Sequence, residues 1–95
     1  MPKAYVMAHI DVTDADAYAL YMQGSSAAMK AHGARILARG GRAETLEGHS
    51  RARNVLVEFD SFEAAKAFYD SEQYQAARKL RDGAAIFDMT IFEGA

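Results

Sequence analysis

The chain has 95 residues, a length that makes a single domain (1–95) and leaves no room for separate catalytic and binding domains. Apolar residues are 51% and charged residues 25%, which excludes a disordered chain, and the net charge of −2 gives no electrostatic case for nucleic acid. The absence of cysteine excludes disulfides, thiolate catalysis and cysteine-based metal sites.

Residues 4–12 alternate and read as a strand, with Val6, Ala8, Ile10 and Val12 on one face and Tyr5, Met7, His9 and Asp11 on the other. Thr13 reads as a helix N-cap, with Asp14 and Asp16 complementing the positive helix start. The helix runs to about His32, turning Tyr18, Tyr21, Met22, Ser25 and Met29 inward, and Gly33 suits its left-handed C-terminal cap. Gly24 weakens it internally by roughly 1 kcal/mol relative to alanine.

Residues 34–39 and 42–48 read as strands joined at Gly40-Gly41, and residues 54–60 as a further strand. Asp60 or Ser61 caps a helix that turns Phe62, Ala65, Phe68 and Tyr69 inward. Ser71 starts a short helix carrying Tyr74, Ala77, Arg78 and Arg81 and ending near Gly83. Residues 86–93 form the last strand.

The order is that of a ferredoxin-like α+β fold, β-α-β-β-α-β with an extra short helix and both main helices on one face of an antiparallel sheet. Strict alternation puts Met7, His9, Leu37, Arg39, Leu56, Glu58 and Phe92 on the other face. That mixture is too apolar for a wet surface and too charged for a core, so a homodimer is expected to cover it.

One residue pattern runs through nearly the whole chain. It includes Tyr5-Val6-Met7-Ala8-His9, Thr13-Asp14, His32-Gly33-Ala34-Arg35, Arg39-Gly40-Gly41, Leu46-Glu47-Gly48 and Val57-Glu58-Phe59, followed by Ser61-Phe62-Glu63-Ala64-Ala65. The pattern resembles the domain of unknown function 1330 family of small bacterial proteins. The resemblance implies a dimeric α/β barrel, two ferredoxin-like sheets facing one another across a two-fold axis. Cofactor-independent monooxygenases, lactone isomerases and haem enzymes belong to that superfamily, and the family itself has no assigned reaction. Asp60, Phe68 and Ser50 stand where the family pattern carries proline, tryptophan and tryptophan.

His9, mid-strand on the mixed face, is either a general base or a hydrogen-bonded interface histidine. His32 is a ligand-binding candidate or a cap on the helix C-terminus. Tyr18 and Tyr21 are three apart on one helix side and either orient a ligand or fill the core. Five arginines, Arg35, Arg39, Arg42, Arg51 and Arg53, lie between residues 35 and 53, and a solvated hairpin explains most of them. Arg39 is the exception. Beside the glycine turn its guanidinium is expected either to hold a carboxylate or phosphate, or to pair with Glu58.

The three histidines lack metal-ligand spacing, and no dinucleotide fingerprint is present, so no metal, flavin or haem is expected. The start of the chain has no basic segment followed by an apolar run, and no stretch is apolar enough to cross a bilayer, so a cytoplasmic protein is expected. The expected function is binding of a small organic carboxylate or aromatic ligand in a cavity of the dimer. The alternatives are a cofactor-independent monooxygenase- or isomerase-like enzyme and a purely structural dimer.

Overall fold

The computed structural model describes residues 2–95. Seven elements follow one another: β1 (Ala4–Val12), α1 (Ala15–Ala31), β2 (Arg35–Arg39), β3 (Arg53–Phe59), α2 (Phe62–Asp70), α3 (Glu72–Lys79) and β4 (Ala85–Glu93). The strands form one antiparallel sheet in the order β2-β3-β1-β4. The period-two alternation of β1 sends Ala4, Val6, Ala8 and Ile10 into the core under the helices. Val55, Val57 and Phe59 of β3 join them, as do Phe87, Met89 and Ile91 of β4. With helices on one face only, the molecule is a slab of 37 × 33 × 17 Å.

Two expectations about local structure are corrected. Residues 42–48 are not a strand; they belong to the connection 40–52 between β2 and β3. A strand needs a ladder partner, and β3 is paired with β2 on one side and β1 on the other. The N-cap of α1 is Asp14, whose Oδ1 accepts from the backbone N–H of Ala17 at 3.2 Å. Thr13 is held elsewhere: its N–H donates to the Ala84 carbonyl at 2.8 Å and its hydroxyl to the Gly83 carbonyl at 3.3 Å. The caps at Ser61 and Ser71 form as expected, each hydroxyl accepting from the N–H three residues on.

Gly24 has a packing reason. A Cβ there would lie 2.7 Å from the Cβ of Ala77, so the glycine lets α1 and α3 approach closely. The largest fully buried side chains are Tyr74, Phe59, Phe68, Ile10 and Val57. Phe68 stacks against Tyr74 and Phe59 with centroid separations of 4.7 and 5.2 Å.

Candidate functional site

The feature that decides the site is an irregularity in β2. Arg35 is paired with Glu58 and Ile36 with Val57, but Ala38 faces Leu56 and Arg39 faces Val55, with a bulge between Ile36 and Ala38. One extra residue reverses the facing of everything beyond it. Arg35 therefore shares the open face with Glu58, and Arg39 turns to the helix face with Val55.

The expected neighbourhood of Arg39, His9 and Glu58 on one face is thus corrected. On the open face Arg35 takes the part considered for Arg39: its Nε donates to Glu58 at 2.6 Å and its Nη2 to Asp60 at 2.9 Å. The guanidinium holds both carboxyls below the usual carboxylate range. Asp60 also pairs with Lys3 at 3.6 Å.

His9 lies further along the same face, its Nδ1 2.6 Å from Asn54 Oδ1. An amide oxygen only accepts, so Nδ1 is the donor in this contact. Beside it runs a groove lined by Asp11, His49, Ser50, Arg51 and Asp88. Arg51 clamps the groove, donating to Asp11 at 2.9 Å and to Asp88 at 2.7 Å. The Ala52 N–H and then Arg51 hold the Asp11 carboxyl below its ordinary value. These bonds tie the connection 40–52 to β1 and β4.

On the helix face, Tyr18, Tyr21, Met22, Ser25 and Met29 of α1 meet Val6, Ala8, Val55, Phe87 and Met89 of the sheet around an apolar cavity. Its free volume is about 30 Å³, and it is partly open to solvent. Arg39 and Arg53 stand at its rim, beside Ser26. Arg39 Nη1 donates to Ser26 Oγ at 3.2 Å. The Arg53 guanidinium lies 5.6 Å from the centroid of Tyr18, and its Nε is buried without a hydrogen-bond partner among the described residues. Neither arginine pairs with an acid among those residues.

Tyr18 and Tyr21 both line this cavity, but with different commitments. The Tyr21 hydroxyl is spent on Tyr74 at 2.9 Å in the core, and burial pushes its acidity far below that of a free phenol. The two rings lie 5.6 Å apart, and Phe87 meets Tyr21 edge-on at 5.4 Å. Arg81 stacks over Phe87 at 3.8 Å, closing the far side of the cluster.

His32 lies outside both places. Its Nδ1 is 3.0 Å from the Ala28 carbonyl and its ring packs edge-on against Phe68 at 6.0 Å, so it caps α1 and covers the core. The structure therefore brings together Arg39, Tyr18 and Tyr21, and separates them from His9, Glu58 and His32. The sequence reading missed Arg53, counting it with the solvated hairpin. Extending the alternation of Val55, Val57 and Phe59 one step back would have placed it under α1. Among the described residues no group of three or more His, Asp or Glu side chains could hold a metal ion. None of their helices is long and apolar enough to cross a membrane.

The fold recurs in solved structures. A protein of unknown function from Rhodopseudomonas palustris is 18% identical with a TM-score of 0.79, over 99% of this chain and 83% of that one. SnoaB, a cofactor-independent oxygenase from Streptomyces nogalater, is 7% identical with a TM-score of 0.71, over 100% of this chain and 95% of that one. A dimeric ferredoxin-like protein of unknown function from Thermobifida fusca is 12% identical with a TM-score of 0.65, over 98% and 92%. At these identities the likeness is one of fold, the ferredoxin-like sheet with its helices on one side. A search of curated proteins finds no match. The model of one family, described as a domain of unknown function, matches residues 3–95, and the chain belongs to that family, DUF1330.

Proposed function

We propose that this protein binds a small organic ligand, a carboxylate or an aromatic, in the cavity between α1 and the sheet of each subunit of a homodimer. The observation that carries the reading is the rim: two arginines without acidic partners among the described residues stand over an apolar, aromatic-lined hollow. Cations left unpaired at an apolar cavity are what an anionic ligand needs for orientation. The dimer part rests on the open sheet face, where Tyr5, Met7, His9 and Leu56 are half-buried and Ile86 and Phe92 exposed. A second sheet would remove these from water, and a protein of the same fold from Thermobifida fusca is described as dimeric.

The enzymatic alternative is supported by the likeness in fold to a cofactor-independent oxygenase. In that reading the groups at hand in the cavity are the phenols of Tyr18 and Tyr21, while His9 serves only chemistry on the opposite face of the sheet. The purely structural alternative is supported by the small free volume of about 30 Å³, far short of a small organic ligand. Thermal-shift screening against small carboxylates and phenols, with sedimentation on the same sample, tests the reading. A concentration-dependent rise in melting temperature is expected, because a bound ligand stabilises the native state by mass action. A flat response to every compound would leave the structural dimer.

A further inference from the structure

Arg53 and Arg39 are diagonal neighbours on one face of the sheet. Arg39 is opposite Val55, and Arg53 lies two residues before Val55 on the same strand. Such diagonal positions are roughly 7–8 Å apart, close enough for two like charges to repel and for two guanidinium groups to share one anion. The chain makes room for this arrangement. Gly40 has φ +67°, and a Cβ there would meet the Arg53 guanidinium, whose Cζ would be 2.8 Å away. Arg53 is left with a buried Nε lacking an acceptor and with the weak acceptor Met22 Sδ 3.5 Å from Nη2.

We propose that the two arginines form a clamp for one carboxylate and that the ligand is an aromatic carboxylate, its ring against Tyr18 and Phe87. The inference rests on the ligand-binding reading above and adds the second clamp residue and the ligand class. A carboxylate has four lone-pair sites and accepts in parallel from a planar guanidinium, which matches the unmet Nε of Arg53 and the exposed fork of Arg39. A flat ring is favoured because Tyr18 and Phe87, with centroids 6.2 Å apart, offer ring faces and edges beside the aliphatic floor of Val6, Val55 and Val57. The free volume is well below that of a cavity that holds benzene, so the ring enters by displacing Met22, Met29 and Met89. These are the most adaptable side chains in the lining.

The test is calorimetric titration of the whole protein with benzoate, benzamide, cyclohexanecarboxylate and phenol, repeated on Arg53→Met, Arg53→Lys, Arg39→Met and Arg42→Met. Arg42 lies in the connection 40–52 and serves as the control. Benzoate should bind about 10- to 150-fold more tightly than benzamide, the worth of charge-assisted hydrogen bonds, and more tightly than cyclohexanecarboxylate. Arg53→Met and Arg39→Met should each remove that preference. Arg53→Lys should retain part of it, and Arg42→Met should keep all of it. Equal binding of benzoate and benzamide would overturn the clamp while leaving the cavity as a binding site. So would loss of the preference in Arg42→Met. Cyclohexanecarboxylate binding as tightly as benzoate would overturn the aromatic assignment. Binding of none of the four probes would overturn the clamp and the ligand-binding reading together. Should Arg53→Met not fold, Arg39→Met and Arg53→Lys carry the same comparison.

Discussion

Arg35 donates to Glu58 at 2.6 Å across the open face of the sheet, one residue before Ile36, the last position of β2 in regular register with β3 before the bulge. Beyond it Ala38 faces Leu56, and Arg39 points into the helix layer. One inserted residue therefore decides which arginine is an ion-pair partner and which belongs to the cavity.

The Arg35 network makes stability pH-dependent. Glu58 and Asp60, and separately Asp11, have carboxyls held below their ordinary values of 4.5 and 3.8. Their contribution is present above the ordinary values and lost as pH falls through the lowered ones, because the unfolded chain binds those protons first. The melting temperature should fall on acidification below about pH 4, less steeply in Glu58→Gln and in 1 M salt. A wild-type profile flat from pH 5 to pH 2 would contradict the network.

Alkaline pH should act through Tyr21. Burial beside Tyr74 raises its pKa above the ordinary 10. A raised value contributes stability that is complete below pH 10 and lost as pH rises beyond it. In a spectrophotometric titration Tyr21 should ionise only with unfolding. Tyr21→Phe should remove that late phase and cost about 1–3 kcal/mol, since Tyr74 is left with only the distant sulfur of Met89, 4.0 Å away. The double change Tyr21→Phe/Tyr74→Phe should cost less than the sum of the two single changes.

Gly24→Ala should destabilise the protein although alanine is the better helix former. Helix propensity favours the change by about 1 kcal/mol, but overpacking against the Ala77 Cβ, 2.7 Å away, costs about 1–3 kcal/mol. Ala77 is short and fixed on α3, so a helix must move rather than a side chain. Chemical denaturation of Gly24→Ala, Ala77→Gly and the double variant measures the coupling. A melting temperature at or above wild type for Gly24→Ala would mean that the close approach is not limiting.

The open face should hold two subunits together. Met7 and Leu56 are register partners at its middle. The wild type should sediment at about twice 10.4 kDa, with more than ~1,000 Å² buried in total. Met7→Glu and Leu56→Glu should each give a species near 10.4 kDa that retains its helical signal. A wild-type monomer at micromolar concentration would remove the barrel from the proposal.

Much of the architecture is legible in local sequence. The alternation of residues 4–12, the serines at Ser61 and Ser71 and the glycine after His32 each state a local backbone preference that the fold keeps. So does the inward set of Tyr18, Tyr21 and Met22. These signals are short-range, and a clear apolar period of two or of 3.6 separates the strand 4–12 from the helix that follows it. The bulge near Leu37 is different. It answers to the registry of β2 against β3, a non-local pairing, and nothing in Arg35-Ile36-Leu37-Ala38-Arg39 announces it. Gly24 likewise reads as a weak point until α3 arrives beside it. The residues 42–48 follow a glycine pair that suits a hairpin turn, but a strand exists only where a partner offers its backbone. Sequence thus determined the elements and the apolar face of the sheet. Tertiary structure decided which arginines meet the cavity, because a side chain's face depends on long-range register that a single residue can reverse.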